Sequence, residues 1–348
     1  MFPLTFPLRV LSQVKINTKV YDPFCGRGTT NYAARLLGIS SYGVDSNPVA
    51  HAIAQSKLIH LMPKEVVSLC KDLLTNCKPG NTPKGEFWQW AYNTKTLNDI
   101  CKIRSHLNSK NKLTKPEIVL RAIMLGILHG PLMKEKLSYL SNQMPRTFST
   151  KPDYSVKYWK ERLMAPPKVD ILTLVREKTK YIFNSELPKK GKGQIILGDS
   201  RIIKDVFDEK FDLVITSPPY YGMSTYEQDQ WLRNWFLGGS EKVDYTTKKQ
   251  LNHWSESAFT KDLSLVWNNT AQKCNSGAKL VIRFGALPSK SEKTPAELLK
   301  ESLKDSKWKL QTILKAGQPI DSKRQANQFK NKTGNYIEEI DVFAILNN

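Results

Sequence analysis

The pentapeptide Thr216-Ser217-Pro218-Pro219-Tyr220 follows a short apolar run, Phe211 to Ile215, that reads as a buried central strand. The double proline forbids continuing the strand, so the backbone must turn out of the sheet at its carboxyl edge. In open α/β sheets that edge is where ligands bind. A polar side chain, a rigid Pro-Pro and an aromatic ring therefore reach a cleft together. Ser217 and the Pro218 carbonyl can accept hydrogen bonds from an exocyclic NH2 group, and Tyr220 offers a face on which a flat base can stack. A bare Pro-Pro-Tyr also occurs as a proline-rich ligand in linkers, but its place directly after a strand argues against that reading.

A second loop, Asp22-Pro23-Phe24-Cys25-Gly26-Arg27-Gly28-Thr29-Thr30, follows a strand at Lys19 to Tyr21 and leads into a helix from Thr29 to about Leu37. Glycines at such a turn allow positive φ and close backbone approach to a ligand. The dinucleotide fingerprint needs a third glycine where this chain has Asn31, which disfavours a nicotinamide cofactor. Gly38 closes the helix, and a second strand, Ser41 to Val44, ends in Asp45. A carboxylate there can accept both hydroxyls of a ribose. Asp45 also reads as an N-cap, since Asp45-Ser46-Asn47-Pro48 is a helix start; the ribose role is preferred for Asp45, with Ser46 or Asn47 as the cap.

Both loops resemble those of the DNA amino-methyltransferases, whose catalytic motif is [Asp/Asn/Ser]-Pro-Pro-[Tyr/Phe] and whose cofactor loop is Asp-Pro-Phe-x-Gly-x-Gly-Thr-Thr. The Thr-Ser-Pro-Pro-Tyr form is typical of members that methylate cytosine N4. The resemblance implies S-adenosylmethionine as cofactor. Asp22 would face its ammonium, and the loop of Pro23, Phe24, Cys25, Gly26, Gly28 and Thr29 would border its amino-acid moiety. Asp45 with Ser46 would take the ribose, and Asp199 with Ser200 the adenine. Ser217, Pro218, Pro219 and Tyr220 would be the catalytic set. The implied reaction is site-specific methyl transfer to N4 of a cytosine flipped from duplex DNA, in a restriction-modification or defence setting with a cognate endonuclease as partner. A monomer and a homodimer both fit. The rivals are adenine N6 methylation, RNA methylation, and a non-catalytic nucleic-acid-binding protein that keeps the fold as scaffold. Cytosine C5 chemistry needs a cysteine nucleophile, usually in a Pro-Cys pair, whereas Cys25 follows Phe24.

The positioning elements predict an α/β fold: a Rossmann-like, doubly wound sheet, mostly parallel with its last strand antiparallel. A short helix from Leu8 to Val14 precedes the first strand. After a helix ending near His60, about 130 residues intervene before strand pattern returns at Gln194 to Leu197, too long for a simple connection. The expected core is residues 1–60 and 194–348, and residues 61–193 form a mainly helical insert. Helices are expected at Pro63 to Thr75, Glu86 to Leu107, Pro116 to His129 (opened by a capping box at Thr114) and Lys168 to Phe183. Beyond the Pro-Pro loop, Trp231, Trp235 and Phe236 give an aromatic helix face, read as core packing, with residues 221–255 as a lid the alternative. Further strands are expected at Lys279 to Phe284, Lys309 to Leu314 and Ile340 to Leu346, with a helix starting at Pro295.

The chain of 348 residues carries a formal charge of +21. From Leu61 to Gln194, 25 Lys+Arg stand against 11 Asp+Glu, so two-thirds of the excess lies in the insert. Double-stranded DNA is the natural partner, and a highly soluble Lys-rich protein the bland alternative. Arg146, Lys151, Lys157 and Arg162, interleaved with aromatic residues, are the first choice for DNA contact, with Lys323 and Arg324 in a later polar loop. Five cysteines without a Cys-x-x-Cys pair fit a reducing cytosol, and five histidines make no metal-ligand pattern with them. No apolar stretch is long enough to span a bilayer and no signal peptide is visible, so a cytoplasmic protein is expected.

Overall fold

The computed structural model describes residues 2–132, 138–145, 151–183, 191–202, 207–222, 227–243, 251, 255–287, 290–316 and 339–347. Two compact units emerge: Met1–Leu58 with Pro188–Thr225 and Lys249–Asn348, and Ile59–Leu187 with Tyr226–Lys248. The second takes in the stretch read as an insert and also a segment from beyond the Pro-Pro loop.

The first unit opens with helix α1 (Thr5–Leu11), strand β1 (Lys19–Asp22), helix α2 (Thr29–Leu36), strand β2 (Ser40–Asp45) and helix α3 (Pro48–Lys57). The second holds α4 (Pro63–Asn76), α5 (Glu86–Ala91), α6 (Thr94–Asn108), α7 (Lys115–Ile127), α8 (Pro152–Glu161) and α9 (Ile171–Ile182). The chain returns with β3 (Gly193–Leu197) and β4 (Phe211–Thr216), then gives α10 (Trp231–Phe236) to the second unit. It continues through α11 (Glu256–Gln272), β5 (Cys274–Gly285), α12 (Pro295–Lys304), β6 (Trp308–Lys315) and β7 (Glu339–Leu346).

The seven strands form one sheet in the order β3-β2-β1-β4-β5-β7-β6. Neighbours from β3 to β5 are parallel, and β7 runs antiparallel between β5 and β6. This is the doubly wound α/β fold that the sequence predicts. Both faces of the central strands are buried, which is why they read as continuous apolar runs. On one face Val20, Leu213, Ile215 and Val281 join Phe6 and Leu11 of α1 and Ala33 and Ala34 of α2. On the other, Tyr21, Val214, Leu280 and Ile282 join Phe259, Leu263 and Trp267 of α11 and Leu298 and Leu299 of α12. Strand order reverses between β1 and β4, the switch point at which such sheets bind ligands.

Several boundaries differ from expectation for local reasons. α1 begins at Thr5 and not Leu8, because Pro7 sits in the first turn, where a missing N–H loses no helical bond. The helix expected over Glu86 to Leu107 breaks at Tyr92 and Asn93; Asn93 is extended and its side chain caps α6 by accepting from the Lys95 amide. The basic stretch after Lys151, for which no helix was expected, is α8, with Pro152 in its first turn and Ser155, Val156 and Trp159 buried. α11 went unread although Phe259, Leu263, Val266 and Trp267 fall on one helical face.

In the second unit the capping box at Thr114 is present, and Glu117 is buried. Its carboxylate accepts from the Thr114 amide at 2.7 Å, from His106 at 2.7 Å and from Lys110. Burial pushes this carboxyl up, but the bonds from Lys110, Thr114 and His106 outweigh it and bring it down to about 2. Its stabilising contribution is present above the ordinary Glu value of 4.5 and is lost as pH falls through about 2. Glu117→Ala should destabilise the unit by about 2 kcal/mol at neutral pH, read as a lowered unfolding midpoint in denaturant. Trp231 and Trp235 of α10 pack on Phe87 and Trp88, with centroids 5.0 Å and 4.5 Å apart, so these aromatics are core of this unit.

Candidate active site

Asp22 ends β1 and is wholly buried. Its Oδ2 accepts from Thr30 Oγ1 at 2.6 Å, and its Oδ1 from Thr216 Oγ1 at 2.6 Å and the Phe24 amide at 3.1 Å. One carboxylate thus joins the glycine loop, the start of α2 and the last residue of β4. Burial raises it from 3.8 to about 6, against the lowering by Thr216, Thr30 and Phe24. Those donors are neutral, and a carboxylate buried among neutral donors gains most from a cation.

The glycine loop is laid over the end of β2. The Cys25 amide donates to the Val44 carbonyl at 3.0 Å, and the Gly26 amide donates to Asp45 Oδ2 at 2.8 Å. Asp45 Oδ1 accepts from the Asn47 amide at 2.9 Å, and Asn47 itself caps α3 by accepting from Val49 and Ala50, leaving Ser46 exposed. Burial raises the Asp45 carboxyl, against the lowering by Asn47 and Gly26. Gly26 has φ +53° and open space where a Cβ would stand, so a ligand can meet the backbone there. Gly28 has φ +73°, and a Cβ on it would lie 3.0 Å from the Ala54 Cβ in α3. Gly28→Ala should cost about 2 kcal/mol, visible as a melting temperature several degrees lower. Pro23 and Thr29 are buried, and half-buried Phe24 meets Trp267 edge-on at 6.2 Å. The buried Cys25 thiol is pushed up by burial, the opposite of an activated nucleophile. Arg27 and Lys57, unforeseen from sequence, lie near one another beside this loop; burial and the Arg27 charge bring Lys57 down to about 8.

The Pro-Pro loop leaves the sheet where expected. Thr216 pairs with Ile282 of β5; the chain turns out through half-buried Ser217, buried Pro218 and exposed Pro219, and rejoins the sheet edge where Tyr221 bridges Ala286. Half-buried Tyr220 meets Phe284 edge-on at 5.8 Å, and its hydroxyl donates to Glu339 Oε1 at 3.0 Å. Glu339 was not foreseen; it lies 119 residues further along the chain, and no local spacing points to it.

After β3, Asp199 is held by Arg201, whose Nε and Nη2 donate to Asp199 Oδ2 at 3.0 Å and 2.6 Å and whose Nη1 reaches Asp262 at 2.8 Å. Burial raising the Asp199 carboxyl is outweighed by the Arg201 bonds, so it lies below the usual range. Buried Ser200 donates to the Pro23 carbonyl at 2.6 Å, tying this loop to the glycine loop. Asp22, Asp45, Ser200 and Thr216 therefore knit the carboxyl ends of four strands, β1 to β4, into one site, with Asp199 beside it.

In the second unit Lys151 precedes α8, Lys157 lies 3.9 Å from Glu161, and Arg162 pairs with Glu161 and stacks 4.0 Å over Tyr158. Arg146, Lys323 and Arg324 lie outside the described residues. Among the described residues no cluster of three His, Cys, Asp or Glu side chains could hold a metal, and no helix is long and apolar enough to cross a membrane.

No family model matches the chain. It is 23% identical over 319 residues to the Type II methyltransferase M.MvaI of Kocuria varians, covering 84% of this chain and 66% of that protein. It is 24% identical over 242 residues to the Type II methyltransferase M.BsoBI of Geobacillus stearothermophilus, covering 64% of this chain and 48% of that one. The chain thus spans about two-thirds of one relative and about half of the other. A solved SAM-dependent methyltransferase from Methanosarcina mazei, 9% identical, superposes with a TM-score of 0.36 over 100% of this chain and 98% of that one, too loose a fit to carry an argument.

Proposed function

We propose that the chain is an S-adenosylmethionine-dependent DNA methyltransferase acting on the exocyclic N4 of a flipped cytosine. The observation that carries this reading is Asp22, one buried carboxylate hydrogen-bonded to both the glycine loop and the residue that opens Ser217-Pro218-Pro219-Tyr220. Two ligand loops locked together at a sheet's switch point suit a reaction between two bound molecules. The Type II methyltransferase relatives support the same reading.

The residues present fit the cofactor. Asp22 is a buried carboxylate suited to an ammonium, Gly26 leaves room at the backbone, and Asp45, bonded to the Gly26 amide, offers a carboxylate that could accept from ribose hydroxyls. Asp199, steadied by Arg201, and Ser200 complete the set on the adenine side. When bound, S-adenosylmethionine supplies a methyl group on a sulfonium, a leaving group already cationic. Ser217 and the Pro218 carbonyl accept from the two hydrogens of the target amine, turning its lone pair out of conjugation with the ring, and Tyr220 stacks the base. Alignment of the amine supplies most of the rate, without a covalent intermediate. Lys151, Lys157 and Arg162, with Arg146, Lys323 and Arg324, would contact the DNA backbone. A cognate restriction endonuclease would share the recognition site.

The deciding experiment incubates the purified chain with unmethylated bacterial DNA and labelled S-adenosylmethionine, then digests to nucleosides for mass spectrometry. N4-methylcytosine is expected. N6-methyladenine would overturn the base assignment and leave the mechanism, whereas cofactor binding without any methylated deoxynucleoside would overturn DNA as the substrate.

A further inference from the structure

Helix α8 is followed by a residue that neither conformation nor burial explains. Leu163 has φ +50°, in the left-handed region, and among the described residues it is the single non-glycine at positive φ. Its side chain is 88% exposed, and no large apolar side chain among the described residues is more so.

The local geometry is a left-handed helix stop. The Leu163 amide donates to the Lys160 carbonyl at 3.1 Å, and the Met164 amide reaches back to the Trp159 carbonyl at 3.0 Å. These two bonds put Leu163 at the position that glycine ordinarily takes. Glycine would hold this φ without the clash that a Cβ makes with the following carbonyl. The turn is pinned from beneath: buried Asn142 donates to the Met164 carbonyl at 3.0 Å, and the indole of buried Trp159 donates to the Gln143 carbonyl at 3.1 Å. An apolar side chain is thus held outward on a fixed corner, where glycine would make the free protein more stable. Strain kept at an exposed position points to a task other than folding.

The surroundings indicate what Leu163 meets. Between Lys151 and Lys168 five Lys+Arg stand against two Asp+Glu. The Arg162 guanidinium, next to Leu163 in the chain, lies 4.0 Å over the Tyr158 ring, and Tyr154, one turn earlier on the same face, is 63% exposed. Positive charge suits phosphates, and exposed apolar or aromatic groups among the charges suit bases. One apolar side chain on a rigid corner has the shape of a wedge between stacked base pairs, a place where it would leave water.

We propose that Leu163 is an apolar wedge that enters the base stack of bound duplex DNA, with Arg162, steadied on Tyr158, on the adjacent phosphate. The proposal rests on DNA as the substrate and deepens that reading by giving α8 a contact with bases besides those with phosphates.

The test uses the full chain with sheared, unmethylated bacterial DNA, either duplex or heat-denatured. Leu163→Gly should melt about 2 °C higher than wild type when free. It should nevertheless bind duplex about 10-fold more weakly, the loss expected from one leucine side chain no longer buried. The slope of duplex affinity against salt should stay unchanged, because no phosphate contact is lost, whereas Arg162→Ala should lower that slope by about one. Affinity of Leu163→Gly for single strands should equal that of wild type, and Leu163→Met should keep most of the duplex affinity. Wild-type duplex affinity in Leu163→Gly, or an equal loss on single strands, would overturn the wedge and leave the methyltransferase reading intact. A lower melting temperature for Leu163→Gly would do the same, as would a wild-type dimer that this variant splits with duplex affinity kept. A wild-type chain without affinity for duplex DNA would overturn both.

Discussion

Asp22→Asn should weaken S-adenosylmethionine binding about 100-fold while leaving the chain at least as stable at pH 8. The two halves of this result have one cause. The Asp22 carboxyl, wholly buried and raised from 3.8 to about 6, binds its proton more tightly in the folded chain than in the unfolded one. Its contribution to stability is therefore present below 3.8 and lost as pH rises through about 6, so at pH 8 the ionised form costs the empty protein roughly 3 kcal/mol. The amide removes that cost. It keeps an oxygen for Thr216 and the Phe24 amide, and the Thr30 hydroxyl, 3.4 Å from the Ile215 carbonyl, has a second acceptor to turn to. What the amide cannot do is hold a cation. Calorimetric titration at pH 8 with a melting curve of the empty protein checks both halves. Titration of the wild type at several pH values adds a third: affinity should fall as pH drops through about 6, and the variant should be flat. Cofactor affinity within threefold of wild type would remove Asp22 from the ammonium site.

Ser217→Ala should act on the other partner. If Ser217 is one of two acceptors that orient the amine, as proposed, removing it is expected to lower the single-turnover rate of transfer 100-fold or more, with cofactor Kd unchanged. Stability should change little, since Ser217 is half-buried in a loop. Crossing the two variants separates the two ligand loops: Asp22→Asn loses binding that high cofactor concentration restores, and Ser217→Ala loses turnover that no concentration restores. Transfer at the wild-type rate by Ser217→Ala would sink the assignment of the catalytic loop.

The parts of this arrangement legible in the sequence were those made by neighbours in the chain. Double proline after an apolar run placed the Ser217 loop, and the glycines placed the turn between β1 and α2. Gly38 was readable as a helix stop because only a residue at φ +69° lets the Ile39 amide reach back to the Ala34 carbonyl. The parts that were not legible depend on pairs far apart. Thr216 and Asp22 are 194 residues apart, and Arg201 and Asp262 are 61. Neither has a spacing rule, because the sheet and not the local chain brings them together. Thr30 and Thr216 were visible as motif letters, but the reason for them is the carboxylate between. The helix at α8 was missed for a related reason: the positive charges drew notice, while Trp159, buried beneath them, anchors the helix.

The placement of β7 between β5 and β6 has a consequence for synthesis of the chain. A ribosome completes β5 and β6 first, yet in the finished sheet they never pair, and both wait for the strand that comes last. A nascent chain that has reached only Lys315 carries two open strand edges and lacks Glu339, the partner of Tyr220. Until Leu346 has emerged it is an aggregation hazard to be shielded by chaperones. On the proposed function it would also lack the carboxylate that meets the Tyr220 hydroxyl, so premature termination would release a chain whose Pro-Pro loop is not yet held.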